Sequence, residues 1–172
     1  MFRRIIWAIG LLAVVAAGIL YLNSYAHRCG PITRVEGELK TLVWALENYK
    51  TDFGIYPRNA ATDALDSETN FDPANYGAAS QCLYCALTGD SDRNPSTPSD
   101  GKMFIEFRPQ QLKRDSAGTV ISIVDPWGMS YGYSTRTVAV PSQTKSGNAF
   151  YNLWSTGGEK TERDRKKWIK NW

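Results

Sequence analysis

The chain has 172 residues, with 20 Lys and Arg against 17 Asp and Glu and a formal net charge of +3. This length suits one modest domain with an anchor. A nearly balanced charge does not predict nucleic-acid binding, which usually shows as a basic patch or stripe. The most basic stretch, 160–170, also contains Glu162 and Asp164 and is interpreted as a solvated face. We therefore expect no nucleic-acid partner.

The N-terminal segment predicts a membrane anchor. Residues Ile5–Leu22 carry no charge, and their number reaches the lower limit of about 17–25 residues for a transmembrane helix. Arg3 and Arg4 precede them, which places residues 1–4 in the cytoplasm. A cleaved signal peptide, leaving a secreted soluble domain, is the alternative. The length of the apolar run and the lack of an Ala-x-Ala site at its end favour the uncleaved anchor.

A second helical pattern occupies residues 23–57. Its apolar residues recur at alternating spacings of three and four, which predicts a single apolar face wide enough to pack on a sheet. Pro31 is expected at the start of a helix or at a kink, and Gly54 at a left-handed cap that ends it. The apolar face consists of Ile32, Val35, Leu39, Leu42, Leu46, Tyr49 and Phe53.

The remaining chain predicts a polar region followed by a sheet. Residues 58–100 are interpreted as a variable surface loop region with one short helix within Tyr76–Leu87. Residues 101–172 contain four short strand candidates separated by turn residues, and Trp168–Trp172 is expected to cover a sheet edge. The predicted fold class is α+β, with a long N-terminal helix on a small antiparallel sheet. The strand candidates are Lys102–Phe107, Thr119–Val124, Ser130–Thr135 and Ala149–Ser155.

Three segments, in this order, resemble the major pseudopilins of type II secretion, a type IV pilin-like family. Leu42–Pro57 is similar to the family's "ALexYkxDxGxYP", Val124–Tyr131 to its "DPWGnpY", and Phe150–Gly158 to its "FDlwSxG". Each motif is weak alone, and together they cover most of residues 32–172. The residues that carry the first two motifs, and that are expected to maintain the fold, are Phe53, Gly54, Tyr56, Pro57, Asp125, Pro126, Trp127 and Gly128.

The resemblance implies a non-enzymatic structural subunit. Family members pack through their helices into a short periplasmic filament on the bacterial inner membrane. Partners would be other pilin-like subunits or further copies, together with membrane proteins of the secretion assembly. The domain would face the periplasm below a single-pass anchor. The helix residues expected to serve assembly are Leu39, Leu42, Leu46 and Tyr49.

One departure from the family concerns the apolar segment. Family precursors have a cleavage glycine, and the fifth residue of the hydrophobic segment after it is a glutamate. Here Gly10 is followed by Leu11–Val15 and Gly18 by Ile19–Asn23, and neither fifth position is acidic. The alternative function is therefore a membrane-tethered accessory or binding module that does not enter a filament.

Two segments are candidates for calcium, although no cofactor is expected. Asp90, Asp92 and Asn94 occupy positions one, three and five of an EF-hand-like loop, but the required Gly and final Glu are Pro95 and Gly101. Family members often bind Ca²⁺ in an Asp-rich run after their Ser-x-Gly. The matching run here has its acidic residues interleaved with basic ones, which weakens it as a calcium loop. Those acidic residues are Glu159, Glu162 and Asp164.

The three cysteines, Cys29, Cys82 and Cys85, allow several interpretations. Outside the cytoplasm a disulfide is favoured, joining Cys82 to Cys85 or Cys29 to either. Free thiols and a Cys₃His zinc site that includes His27 are alternatives. A periplasmic thiol protein is the functional counterpart, although the βαβ context of thioredoxin-type centres is missing.

Catalysis receives little support from the sequence. His27 is the only histidine and lies beside the apolar span, so the folded part would have no base for a Ser-His-Asp triad. A Gly-rich phosphate loop is also missing. The expectation is that the protein is not an enzyme.

Overall fold

The computed structural model is an α+β protein with helices and two small antiparallel sheets. It describes the backbone of residues 2–97, 99–143 and 147–172; within the first helix it describes the side chains of 14–22 and 30–53. The chain forms two compact units, Met1–Arg34 and Val35–Trp172. The fold and the motifs discussed below belong to the second unit.

Four helices occur in the described residues: α1 (Phe2–Phe53), α2 (Ala60–Ala64), α3 (Gly77–Thr88) and α4 (Arg136–Ala139). Pro31 lies inside α1 rather than at its start. Gly54 ends α1 with a φ of +78°, as predicted, and its amide donates to the Lys50 carbonyl at 2.7 Å. The helix predicted within Tyr76–Leu87 is confirmed by α3, whereas α2 and α4 were not predicted. Short 3₁₀ turns lie at Pro73–Tyr76, Pro109–Gln111, Pro141–Gln143 and Glu162–Lys167.

The described strands form two sheets instead of the single one predicted. Strand β1 pairs with β2, and the other three lie side by side in the order β3-β4-β5, all antiparallel. An isolated bridge between Val124 and Ser130 lies in the segment that joins β2 to β3. Three strand predictions are confirmed in shorter form by β2, β3 and β4. The strands are β1 (Leu112–Arg114), β2 (Val120–Ile123), β3 (Gly132–Ser134), β4 (Asn152–Ser155) and β5 (Ile169–Lys170).

The strand predicted at Lys102–Phe107 is wrong. The amides of Phe104 and Ile105 both donate to the carbonyl of Leu87, at 2.8 and 3.2 Å, near the end of α3. A helix leaves its last carbonyls without internal partners, and this segment satisfies one of them. The amides of Phe104 and Ile105 therefore do not take part in strand pairing, and β2 pairs with Leu112–Arg114 instead.

The C-terminal segment extends the sheet. Trp168 is buried, and Ile169–Lys170 forms the edge strand β5 beside β4. The sequence predicted aromatic cover at a sheet edge; the segment also supplies backbone pairing there.

The core of the second unit lies between α1, α3 and the sheets. The apolar face of α1 from Val35 to Leu46 is buried in one cluster with residues of β2, β3 and β4. Burying one such aliphatic side chain is worth about 1.5–3 kcal/mol. The last residue of the predicted face, Phe53, is exposed, although its ring lies 4.5 Å from that of Tyr49. The buried helix residues are Val35, Leu39, Leu42, Ala45 and Leu46.

Candidate functional site

The turn 125–128 is built around the buried carboxylate of Asp125. One carboxylate oxygen accepts the amides of Trp127 and Met129, both at 2.9 Å. Gly128 adopts a φ of +76°, a region that side chains disfavour. Burial raises the pKa of Asp125 above its ordinary value, against the lowering effect of these hydrogen bonds. Asp125 and Gly128 thus have the structural roles that the sequence assigned to them.

Side-chain contacts join all three motif segments inside the second unit. Tyr56 of the first motif packs on Tyr151 of the third, with ring centres 4.7 Å apart. The Ser155 hydroxyl donates to the second oxygen of Asp125 at 2.5 Å, which links the third motif to the turn. Two further bonds join a motif residue to a residue just outside the motifs: the Tyr133 hydroxyl donates to the Pro57 carbonyl at 2.7 Å, and the Tyr131 hydroxyl donates to Glu38 of α1 at 2.6 Å. The segments that were separate in the sequence therefore form one connected, largely buried arrangement.

Tyr56 connects the exit of α1 to the segment before β4. Its hydroxyl donates to the Glu47 carboxylate at 2.8 Å, and the Lys50 ammonium lies 4.7 Å from the ring centres of both Tyr56 and Phe150. Desolvation, helped by Glu47, raises the pKa of Tyr56 to about 12. This cluster holds the chain after Gly54 against the helix.

A second aromatic cluster was not predicted from the sequence. Trp154 is fully buried and stacks on Trp168, with ring centres 5.9 Å apart and planes within 4°. The ring of Tyr76 meets Trp154 edge-on. A Cβ atom on Gly132 would lie 2.1 Å from the Trp154 indole, so β3 requires glycine there. The repeated Trp at 154, 168 and 172 was the available signal.

The first calcium candidate is a self-bonded loop. Asp90 is buried and accepts the Tyr84 hydroxyl at 2.5 Å, while Asp92 accepts the Asn94 amide at 2.9 Å. The Asn94 side-chain oxygen accepts the amide of Ser96 at 3.1 Å. Each of these three side chains therefore accepts a hydrogen bond from its own part of the chain.

An ammonium group lies among the second set of candidates. Lys167 Nζ is 2.7 Å from Glu159 and 2.8 Å from Asp164, and these contacts raise the pKa of Lys167 while lowering that of Asp164. Glu162 lies in the intervening 3₁₀ turn. Among the residues whose side chains are described, no group of three or more His, Cys, Asp or Glu is arranged to hold a metal ion.

Cys82 and Cys85 are half-buried free thiols one turn apart on α3. Helical neighbours at this spacing have Cβ atoms about 5–6 Å apart, farther than the roughly 3.5–4.5 Å of a disulfide. Burial raises the pKa of Cys82 to about 11 and raises that of Cys85 as well. A reactive cysteine needs the opposite shift. The side chains of His27 and Cys29 lie outside the described residues.

Trp44 is a large aromatic side chain on the face of α1 away from the core. Trp44 is 63% exposed and lies outside the three-and-four spacing of the apolar face. That exception to the pattern was the signal that it is not a core residue. It provides a surface feature for which the fold gives no internal role.

The side chains of the predicted anchor, Ile5–Leu22, are described in its second half. The side chains of residues 5–13, within Ile5–Leu22, lie outside the described residues. Across the part of the chain that is described, no helix has the length and apolarity needed to cross a membrane.

Comparison of the chain with family models, curated proteins and solved structures finds no match.

Proposed function

We propose that this chain is a pseudopilin-like structural subunit of a type II secretion or pilus-type assembly. The observation that supports this best is that the third motif contacts both of the others, through the Ser155–Asp125 hydrogen bond and the packing of Tyr151 on Tyr56. The three motifs thus contact one another in the folded unit. Their shared role in the fold matches the role that the resemblance assigns to them.

In the proposed subunit, one long N-terminal helix combines the anchor Ile5–Leu22 with an amphipathic half that packs on the sheet. The buried face of that half supports the folded unit, and its other face remains available to neighbouring subunits. The folded unit resides in the periplasm and the anchor in the inner membrane. No catalytic step is part of this role.

The second candidate function is a tethered accessory module with the same fold and anchor. It is favoured by the sequence after Gly10 and Gly18, which lacks the acidic residue that family members place in lipid. A carboxylate there is costly unless it is paired. In the family this carboxylate is expected to pair with the freed amino terminus of a neighbouring subunit, and this chain would lack that contact in a filament.

Chemical cross-linking in native membranes distinguishes the two. Intact cells producing the full-length chain are treated with a membrane-permeant cross-linker that reacts with amines. The membrane proteins are then separated by size under denaturing conditions. A filament subunit gives a ladder of multiples of the chain mass. A single monomer band, with the chain retained in the membrane, contradicts the filament role and supports the tethered module.

A further inference from the structure

Two hydroxyl groups on the exposed face around Trp44 already have acceptors within the helix. At 100° per residue, Trp44 lies 200° from both Leu42 and Leu46, which are buried. The hydroxyls of Thr41 and Thr51 on this face donate to carbonyls of the same helix, at 3.0 and 2.9 Å. Because their donors are already satisfied, covering this face leaves neither hydroxyl donor unpaired.

A groove of about 520 Å³ runs along the flank of the same helix. Leu39 and Val43 of α1 form one side, and Ile169 and Trp172 of the C-terminal segment form the other. Lys40 and Lys170 line it as well. The groove therefore combines an apolar lining with two ammonium groups.

This lining is complementary to an indole ring. The face of a Trp ring attracts ammonium groups, and Lys170 already lies 5.0 Å from the ring centre of Trp172 in the same chain. Among the described residues Lys40 has no ion pair. Glu36, which also lines the groove, can accept an indole N–H.

We propose that Trp44 of one copy inserts into this groove of a second copy. The proposal rests on the proposed function and names the partner surface that it uses. A reciprocal two-fold contact would close as a dimer, so the proposed filament requires the contact to be heterologous. In that arrangement each added copy leaves one Trp44 and one groove unoccupied, so the contact repeats and builds a filament unless a ring closes.

Site-specific photocross-linking tests the contact in the full-length protein. A photoreactive p-benzoyl-phenylalanine replaces Trp44 in one tagged copy, which is produced in the same cells as a wild-type copy with a different tag. This change keeps an aromatic ring at an exposed position and leaves the core intact. After irradiation of intact cells, adducts containing both tags are isolated, and the joined peptides are identified by mass spectrometry.

The expected adduct joins position 44 to residues 36–43 or 169–172 of the other copy. The control replaces Met103, which is 52% exposed and outside the groove, and should give no such adduct. An adduct to another protein, an adduct elsewhere on the second copy, or none would overturn the proposal. A ladder of multimers with the adduct elsewhere would leave the filament role standing. A groove adduct without multimers beyond the dimer would uphold the contact and contradict the filament.

A matched pair of variants measures the size of the effect. Truncation of a buried interface Trp typically weakens association by at least about 30-fold. Trp44→Ala should therefore lower the yield of the multimer ladder strongly, whereas Trp44→Phe, which retains a ring for the lysines, should restore much of it. Equal yields for both variants and the wild type would overturn the proposal.

Discussion

Two neighbouring substitutions on α1 separate the face that supports folding from the face that is exposed. Leu42 is 2% exposed and lies in the core cluster, whereas Trp44 is 63% exposed. Leu42→Ala removes buried carbons and leaves a cavity, which costs about 2–5 kcal/mol of unfolding free energy. Trp44→Ala should change that free energy by no more than about 0.5 kcal/mol. The smaller side-chain change is thus expected to have the larger effect.

Thermal unfolding of the two full-length variants in one detergent, followed by near-ultraviolet circular dichroism, measures this difference. For a chain of this size 1 kcal/mol corresponds to about 2–4 °C in Tm. A loss of about 3 kcal/mol in Leu42→Ala therefore lowers Tm by about 6–12 °C, and Trp44→Ala by less than about 2 °C. Similar shifts in Tm for the two variants would refute the assignment of the two faces.

The double variant Leu39→Asp, Leu42→Asp places two carboxylates in the core and should abolish folding.

Gly132→Ala places a Cβ 2.1 Å from the Trp154 indole and should lower the free energy of unfolding by at least about 1–3 kcal/mol. Gly37→Ala, where the added Cβ has no neighbour within 4 Å, should raise it by about 0.5–1 kcal/mol. If the Tm values of the two variants do not move in opposite directions, the packing around Gly132 is wrong. The pKa of Asp125 is raised from its ordinary 3.8, so protonation stabilises the fold as pH falls through that raised value. As the pH is lowered from 7 to 4, the Tm of the wild type should therefore rise relative to the Tm of Asp125→Asn. A Tm difference that does not change with pH would contradict the raised pKa. Because the pKa of Cys82 is about 11, its thiol in the folded chain should react with iodoacetamide on the order of 100-fold more slowly than free cysteine at pH 7. An equal reaction rate would contradict the burial of Cys82.

The parts of the fold that the sequence predicted best depend on local chemistry. Gly54 ends α1 and Gly128 shapes the turn because each position requires a positive φ that the sequence can signal. The buried face from Val35 to Leu46 followed from its spacing alone. These features need no knowledge of distant residues.

The parts that were missed depend on long-range pairing. Phe104 and Ile105 have strand-like character, but the free carbonyl of Leu87 takes their amides. Whether a short extended segment pairs with a strand or with a helix end is decided by tertiary position, not by composition. The edge strand Ile169–Lys170 was missed for the same reason.

The candidate sites show a similar division. The roles of Asp125 and Gly128 were predicted, because turn residues act on their own backbone. Lys167 was not expected between Glu159 and Asp164, since side-chain geometry across a 3₁₀ turn is not visible in a charge pattern. The groove beside Val43 combines residues more than a hundred positions apart in the sequence and could not be read from spacing.

The intact mass of the protein, taken without reductant from the membranes of its own cells, tests the central claim of a membrane-anchored assembly subunit most directly. The account predicts a chain in the membrane fraction that retains most or all of Ile5–Leu22, either full length or shortened within that segment with a methylated new amino terminus. A chain found in the soluble fraction and beginning after Leu22 would mean a cleaved signal peptide, and would contradict the account.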